Sequence, residues 1–128
     1  MRESVPDELN RVTERVIGAA MAVHRELGPG FLESIYAQAL RIELEARRLP
    51  FEWEKPIDVL YRDTRIRGQR VDLVVDRCVV VEVKAVAAIE PIHVAQIVSY
   101  LKTTGLRVGL LINFRERLLK DGIRRVVL

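Results

Sequence analysis

Apolar positions in the first fifty residues recur at three- and four-residue steps, and this period predicts helices. Leu9, Val12, Val16, Ala19, Ala20, Val23 and Leu27 mark a helix over Asp7 to Leu27. Pro6 fits its first turn, Asp7 and Glu8 suit the positive end of its dipole, and Gly28 stops it. Pro29 and Gly30 make a tight corner. A second helix follows from about Leu32 to Arg48, with a broad apolar face of Leu32, Ile35, Tyr36, Ala39, Leu40 and Ile42, and Pro50 ends it. A turn this short predicts that the two helices form a hairpin or a sharp bend. After Pro50 the period changes to two. Phe51 and Trp53 alternate up to Lys55, Pro56 interrupts, and Ile57, Val59 and Tyr61 alternate again before a turn at Arg62-Asp63-Thr64. Strands are predicted over about Arg65 to Val75 and Cys78 to Ala85, with Asp76-Arg77 at the bend. Glu90-Pro91 opens a third helix that runs to about Thr103, and Gly105 closes it. Leu106 to Phe114 is a continuous apolar run, as in a strand covered on both faces, and Ile123 to Leu128 reads as a last short strand. The order α-α-β-β-β-α-β predicts an α/β (α+β) domain with a mixed sheet and helices packed against it.

Composition changes this picture little. The 128 residues make one domain with room for a two-layer core. The 21 basic and 18 acidic residues give a net charge of +3, a mild lean toward polyanions. All but four of the basic residues are Arg, which suits bidentate phosphate contact but is as readily a compositional habit. Cys78 stands alone, so an intrachain disulfide and a cysteine-based zinc site are both excluded. No apolar run approaches the length of a membrane span, and MRESVPDELN has no apolar leader core, so a cytoplasmic protein is expected.

The chemistry concentrates where charge interrupts the two most apolar strands. Asp72 lies among Val71, Leu73, Val74 and Val75, while Glu82 and Lys84 lie among Val79, Val80, Val81 and Val83. Ionised groups are seldom buried without partners. Glu82 and Lys84 are two apart, so they share a face of their strand. Asp72 joins them only in one register. A two-residue loop at Asp76-Arg77 sets it opposite Val81 and on the wrong face, whereas a three-residue loop through Cys78, or a bulge, sets it opposite Glu82. In the second case two carboxylates and the Val83 carbonyl make an oxygen site for a hard cation, magnesium or manganese, with Lys84 beside it. The competing reading is a structural network in which Arg70 pairs with Asp72 and Lys84 with Glu82. On the third helix His93, Gln96 and Tyr100 form a polar stripe opposite Val94, Val98 and Leu101. Gln96 and Tyr100 are candidates for orienting a phosphate oxygen; surface polarity explains His93.

Three motifs carry a resemblance. Asp72 followed by Glu82-Val83-Lys84 resembles the core motif of the PD-(D/E)xK nuclease superfamily, although Val71 stands where its proline would be. Gln96-Ile97-Val98-Ser99-Tyr100 resembles the QxxxY helix motif of its exonuclease branch, and Gly30 to Tyr36 matches the GxxExxY signature of a small bacterial and archaeal family. The resemblance covers nearly the whole chain. It implies a restriction-endonuclease-like mixed sheet with flanking helices and a magnesium-dependent phosphodiester-cleaving site. It also implies that Glu33 adds a carboxylate to the metal or its water, and Glu33 and Tyr36 are both expected to point inward beside Leu40.

The expected function is a magnesium-dependent nuclease. Asp72, Glu82 and the Val83 carbonyl hold the ion, Glu33 assists, Lys84 activates water, and Gln96 and Tyr100 orient the phosphate for in-line attack that leaves a 5′-phosphate. Arg65, Arg67, Arg70 and Arg77 are candidate backbone contacts, with DNA favoured over RNA, and Gly30 and Tyr36 are structural. A chain this short has no obvious recognition domain, so a homodimer or a larger complex is anticipated. The alternative is a non-catalytic nucleic-acid- or protein-binding domain on the same fold.

Overall fold

A computed structural model describes residues 5–128. The expectation drawn from MRESVPDELN rests in part on Met1 to Ser4, which lie outside the described residues. Helix α1 spans Asp7–Leu27 and α2 spans Glu33–Ala46; strands β1 (Phe51–Tyr61), β2 (Thr64–Val75) and β3 (Val79–Lys84) follow. Helix α3 (Pro91–Thr104) leads to β4 (Val108–Asn113), and a short 3₁₀ turn at Leu119–Gly122 leads to β5 (Ile123–Val127). The strands lie side by side in sequence order, antiparallel except for β3 and β4, which are parallel and joined through α3. The predicted α+β order and mixed sheet are those observed.

Each helix forms for a readable reason. In α1 the apolar stripe of Val12, Val16, Ala19, Ala20 and Val23 is buried, with Asp7 and Glu8 in the first turn and Gly28 at the C-terminus. Helix α2 is shorter than its apolar pattern suggests and is rotated from it. Tyr36, Ala37, Leu40 and Leu44 are buried, whereas Leu32, Ile35 and Ile42 of the expected face are exposed at 75%, 42% and 65%. Burial follows the stripe at one helical pitch, and the flanking apolar residues fall beside it. Helix α3 starts with a capping box: Glu90 accepts from the His93 main chain, and His93 Nδ1 accepts from the Glu90 N–H at 2.9 Å. His93 is therefore a cap.

Helices α1 and α2 cover one face of the sheet over Leu73, Val75, Val79, Val81, Val83, Val108, Leu110 and Ile112. Helix α3 covers the other over Val74, Val80 and Leu111. Every residue of β4 is buried, as its uninterrupted apolar run predicts. Gly109 permits the close approach of α3, since a Cβ there would lie 2.7 Å from Ile97 Cγ2. Gly109→Ala is expected to cost about 1–3 kcal/mol by overpacking, read from the denaturant midpoint.

Pro56 does not divide β1 as the alternation suggests. The strand runs continuously because it is the sheet edge, where a missing N–H leaves no ladder bond unmade. Its pairing with β2 shifts register between Ile57 and Val59, and closer to the root Glu54 takes a left-handed φ of +47° opposite Asp72. Beyond Glu54 the facing changes: Phe51 and Trp53 pack toward α1 and α2, but Ile57 packs with Val71 against Ile97, Tyr100 and Leu101. The outer β1–β2 hairpin therefore curls toward the α3 face.

Candidate functional site

The turn between β2 and β3 decides what meets at their far end. Asp76 and Arg77 are both left-handed, at φ +49° and +59°, and the Cys78 N–H donates to the Val75 carbonyl at 3.0 Å. Three residues thus form the loop, and Val75, Val74 and Leu73 pair with Val79, Val80 and Val81. One further step puts Asp72 opposite Glu82, on the face shared by Val74 and Val80. There the regular ladder stops. The Asp72 N–H donates to Glu82 Oε1 at 3.0 Å, and the Val83 N–H donates to Asp72 Oδ2 at 2.9 Å. Each carboxylate engages a main-chain group of the opposite strand, where a ladder bond would otherwise lie. A residue's N–H and C=O point to the same side of its strand, so the Val83 carbonyl opens into this gap as well.

Lys84 Nζ lies 3.7 Å from Glu82 Oε2, and both side chains are largely buried. Arg70 does not pair with Asp72; it turns to Glu54 at 3.2 Å, because the irregular strand pair carries both residues outward to solvent. Burial, together with the charge of Asp72, pushes Glu82 up from 4.5 to about 7. Burial likewise raises Asp72, helped by the charge of Glu33. Tyr100 is pushed up to about 12 by burial and by the charges of Glu82 and Asp72, while Gln96, one helical turn away, hydrogen-bonds it. The α3 stripe therefore faces the acids from across the site, with Tyr100 itself buried.

A carboxyl group whose folded value is raised adds stability at low pH and loses it as it ionises. In EDTA, stability should fall as pH rises from about 4.5 toward 7, by on the order of 3 kcal/mol for Glu82. Glu82→Gln is expected to abolish this difference, read as melting temperature across the pH series for the two proteins.

Glu33 is exposed and does not face inward. It sits in the first turn of α2, and its Oε1 accepts from the Ala85 N–H at 3.3 Å, at the end of β3. Among the described residues no three His, Cys, Asp or Glu side chains come close enough to hold a metal together. The acids that meet are two. With the Val83 carbonyl they form an all-oxygen donor set, and their mutual repulsion in a buried place is what a divalent cation would relieve. The residues present fit such an ion.

Tyr36 explains the rest of its motif. Its hydroxyl donates to the Gly28 carbonyl and accepts from the Phe31 N–H at 3.1 Å, and its ring stacks on Phe114 at 4.7 Å. Gly30, at φ +115°, lets the chain turn between those two contacts. This knot sets the start of α2 and hence Glu33 beside β3. The arginines divide. Arg65, Arg67 and Arg70 are exposed on the outer hairpin, with Arg65 3.8 Å from Asp58, whereas Arg77 lies in the β2–β3 turn at the opposite end of β2.

One residue that the sequence reading passed over belongs here. Asn113 is fully buried beside Lys84 in the parallel ladder. Its Oδ1 accepts from the Val86 N–H at 3.0 Å and its Nδ2 donates to the Val86 carbonyl at 2.9 Å, while the Phe114 N–H donates to the Lys84 carbonyl at 2.9 Å. Asn113 holds the chain just past Lys84, where it departs toward α3. The signal was present: an amide ending an otherwise apolar strand needs partners.

Three helices and a five-stranded mixed sheet in this order match the PD-(D/E)XK nuclease fold. The model of the PD-(D/E)XK nuclease superfamily matches residues 10–126, and the chain belongs to that superfamily. Nucleases of the superfamily generally use divalent metal ions and act on nucleic acid. Neither the curated proteins nor the solved structures compared with the chain gave a match. Among the described residues no helix is long and apolar enough to cross a membrane.

Proposed function

We propose that the chain is a magnesium- or manganese-dependent nuclease of the GxxExxY group, acting on DNA rather than RNA. The observation that carries this reading is the reciprocal crossing of Asp72 and Glu82 with Lys84 Nζ at 3.7 Å. Asp72, Glu82 and the Val83 carbonyl would hold the ion. When bound, it supplies positive charge that polarises a phosphoryl oxygen and acidifies water. Glu33, at the rim, assists through water. Lys84 Nζ, as an ammonium, holds the attacking water and offsets charge at the phosphorus, or, as the neutral amine, takes that water's proton. Gln96 and the Tyr100 hydroxyl orient the phosphate for in-line attack that leaves a 5′-phosphate. The Tyr100 hydroxyl keeps its proton at neutral pH and so acts as a donor.

The test is incubation with single- and double-stranded DNA and RNA in magnesium, manganese or EDTA. Metal-stimulated cleavage is expected, strongest on DNA, and no cleavage with either ion would overturn the reading. One observation favours a second reading, a non-catalytic binding domain: Lys84 already has an ion-pair partner in Glu82. Salt-sensitive nucleic-acid binding with no turnover in any metal would establish it.

A further inference from the structure

The outer part of the β1–β2 hairpin carries the candidate backbone contacts Arg65, Arg67 and Arg70, but its apolar and aromatic tip has no part in the catalytic reading. Of β2, only Leu73 to Val75 pair with β3; the hairpin beyond is two strands closed by Arg62-Asp63 in left-handed conformation. Its tip is apolar and aromatic in an unusual place. Leu60, Tyr61 and Ile66 are 68%, 60% and 50% exposed. The Arg62 guanidinium lies 5.4 Å from the centre of the Tyr61 ring, covering one face of it. A two-stranded ribbon gains little from exposing such side chains, and Arg62 and Arg67 add positive charge beside them.

We propose that this arm carries a stacking contact for an unpaired nucleobase, so that the preferred substrate is duplex interrupted or ended by single strand. The inference rests on the nuclease reading for its ligand class, but its test does not require cleavage. The charge favours a polyanion: residues 58–67 contain three Arg and two Asp, and Asp58 pairs with Arg65 and not with Arg62 or Arg67. A ring paired with a guanidinium offers a base a flat surface and its phosphate a cation. The arm also lies on the correct side, since Ile57 and Val71 at its root pack against Tyr100, which faces the acids. Thr64 at the tip stands eight residues before Asp72 on the same strand, about 26 Å at about 3.3 Å per residue. At about 3.4 Å per base pair, and with the bulge near Gly68 shortening the arm, the tip reaches about six to eight base pairs from the acids.

The experiment compares the wild type with a Tyr61→Ala, Arg62→Asn double variant. Asn suits the left-handed turn position, so the hairpin is retained. Binding is measured by fluorescence anisotropy in EDTA, on a blunt duplex and on the same duplex with a single-stranded overhang. The wild type is expected to prefer the overhang at least fivefold, and the variant to lose that preference at an unchanged melting temperature. Mapped cuts in magnesium are expected about six to eight base pairs from the junction. Equal binding of the two duplexes by the wild type overturns the proposal, as does a preference retained in the variant. A wild-type dimer that the double variant converts to monomer in sedimentation also overturns it, assigning the tip to a second copy. Selective binding with no cleavage in any metal leaves the arm standing and removes the nuclease reading; binding to no nucleic acid removes both.

Discussion

Lys84→Ala and Asp72→Asn are each expected to lower metal-stimulated cleavage by about 10²- to 10⁴-fold, the usual weight of a proton-transfer or charge-stabilising group. The two losses have different origins and separate in the metal titration. Lys84 makes no claim on the cation, so Lys84→Ala should bind magnesium or manganese as the wild type does and fail in turnover. Asp72→Asn removes one of two carboxylates, so its metal-induced thermal shift should shrink as well. Both proteins should fold. Asp72→Asn keeps an oxygen for the Val83 N–H, now 2.9 Å from Asp72 Oδ2, and relieves the repulsion that raises Glu82. Its melting temperature in EDTA is therefore expected to equal or exceed that of the wild type, as for many residues whose clustering serves chemistry at the expense of stability. A purely structural acid network has the opposite signature: lower stability and no effect on turnover.

Tyr36→Ala is expected to be the most damaging single change to the fold, at about 3–5 kcal/mol for a fully buried aromatic. A domain with the usual 5–15 kcal/mol would lose a large share of its stability. The ring fills the space against Phe114, and its hydroxyl satisfies two main-chain groups of the α1–α2 corner at once. Tyr36→Phe separates these roles. It keeps the stack and should cost about 1–3 kcal/mol for main-chain groups left without a partner. Denaturant midpoints of the two variants give both figures. If Tyr36→Phe is as costly as Tyr36→Ala, the hydroxyl is the dominant contribution and the stacking account is wrong.

The fold was legible wherever periodicity and punctuation agreed. The limits of α1 follow from Pro6 and Gly28, and α3 from Glu90-Pro91 and Gly105. The site was legible to the extent that strand alternation reaches: Glu82 and Lys84 share a face by parity alone. Whether Asp72 joins them depended on the left-handed pair Asp76-Arg77, and composition near a turn does not fix its length. One expectation and one competing reading fail for a common reason. Glu33 was expected inside because it shares a helical face with Leu40, and the competing structural network set Arg70 on Asp72 because both are two apart on one strand. Ideal geometry licensed both, yet Glu33 is the first residue of α2 and is exposed there, and β1 is left-handed at Glu54, opposite Asp72. Regular elements are predictable in their middles and least so at their ends and bulges, where this chain keeps its chemistry. The left-handed Glu54 had no sequence signal at all.

The crossed carboxylates at the parting of β2 and β3 give the molecule two built-in reporters. The amide protons of Asp72 and Val83 are held by side chains rather than by the sheet. Anything that draws those oxygens away, whether an incoming cation or a proton, releases two backbone hydrogens in the middle of an otherwise shielded strand pair. Exchange with deuterium at those two amides, resolved residue by residue, thus follows the occupancy of the site without any substrate present.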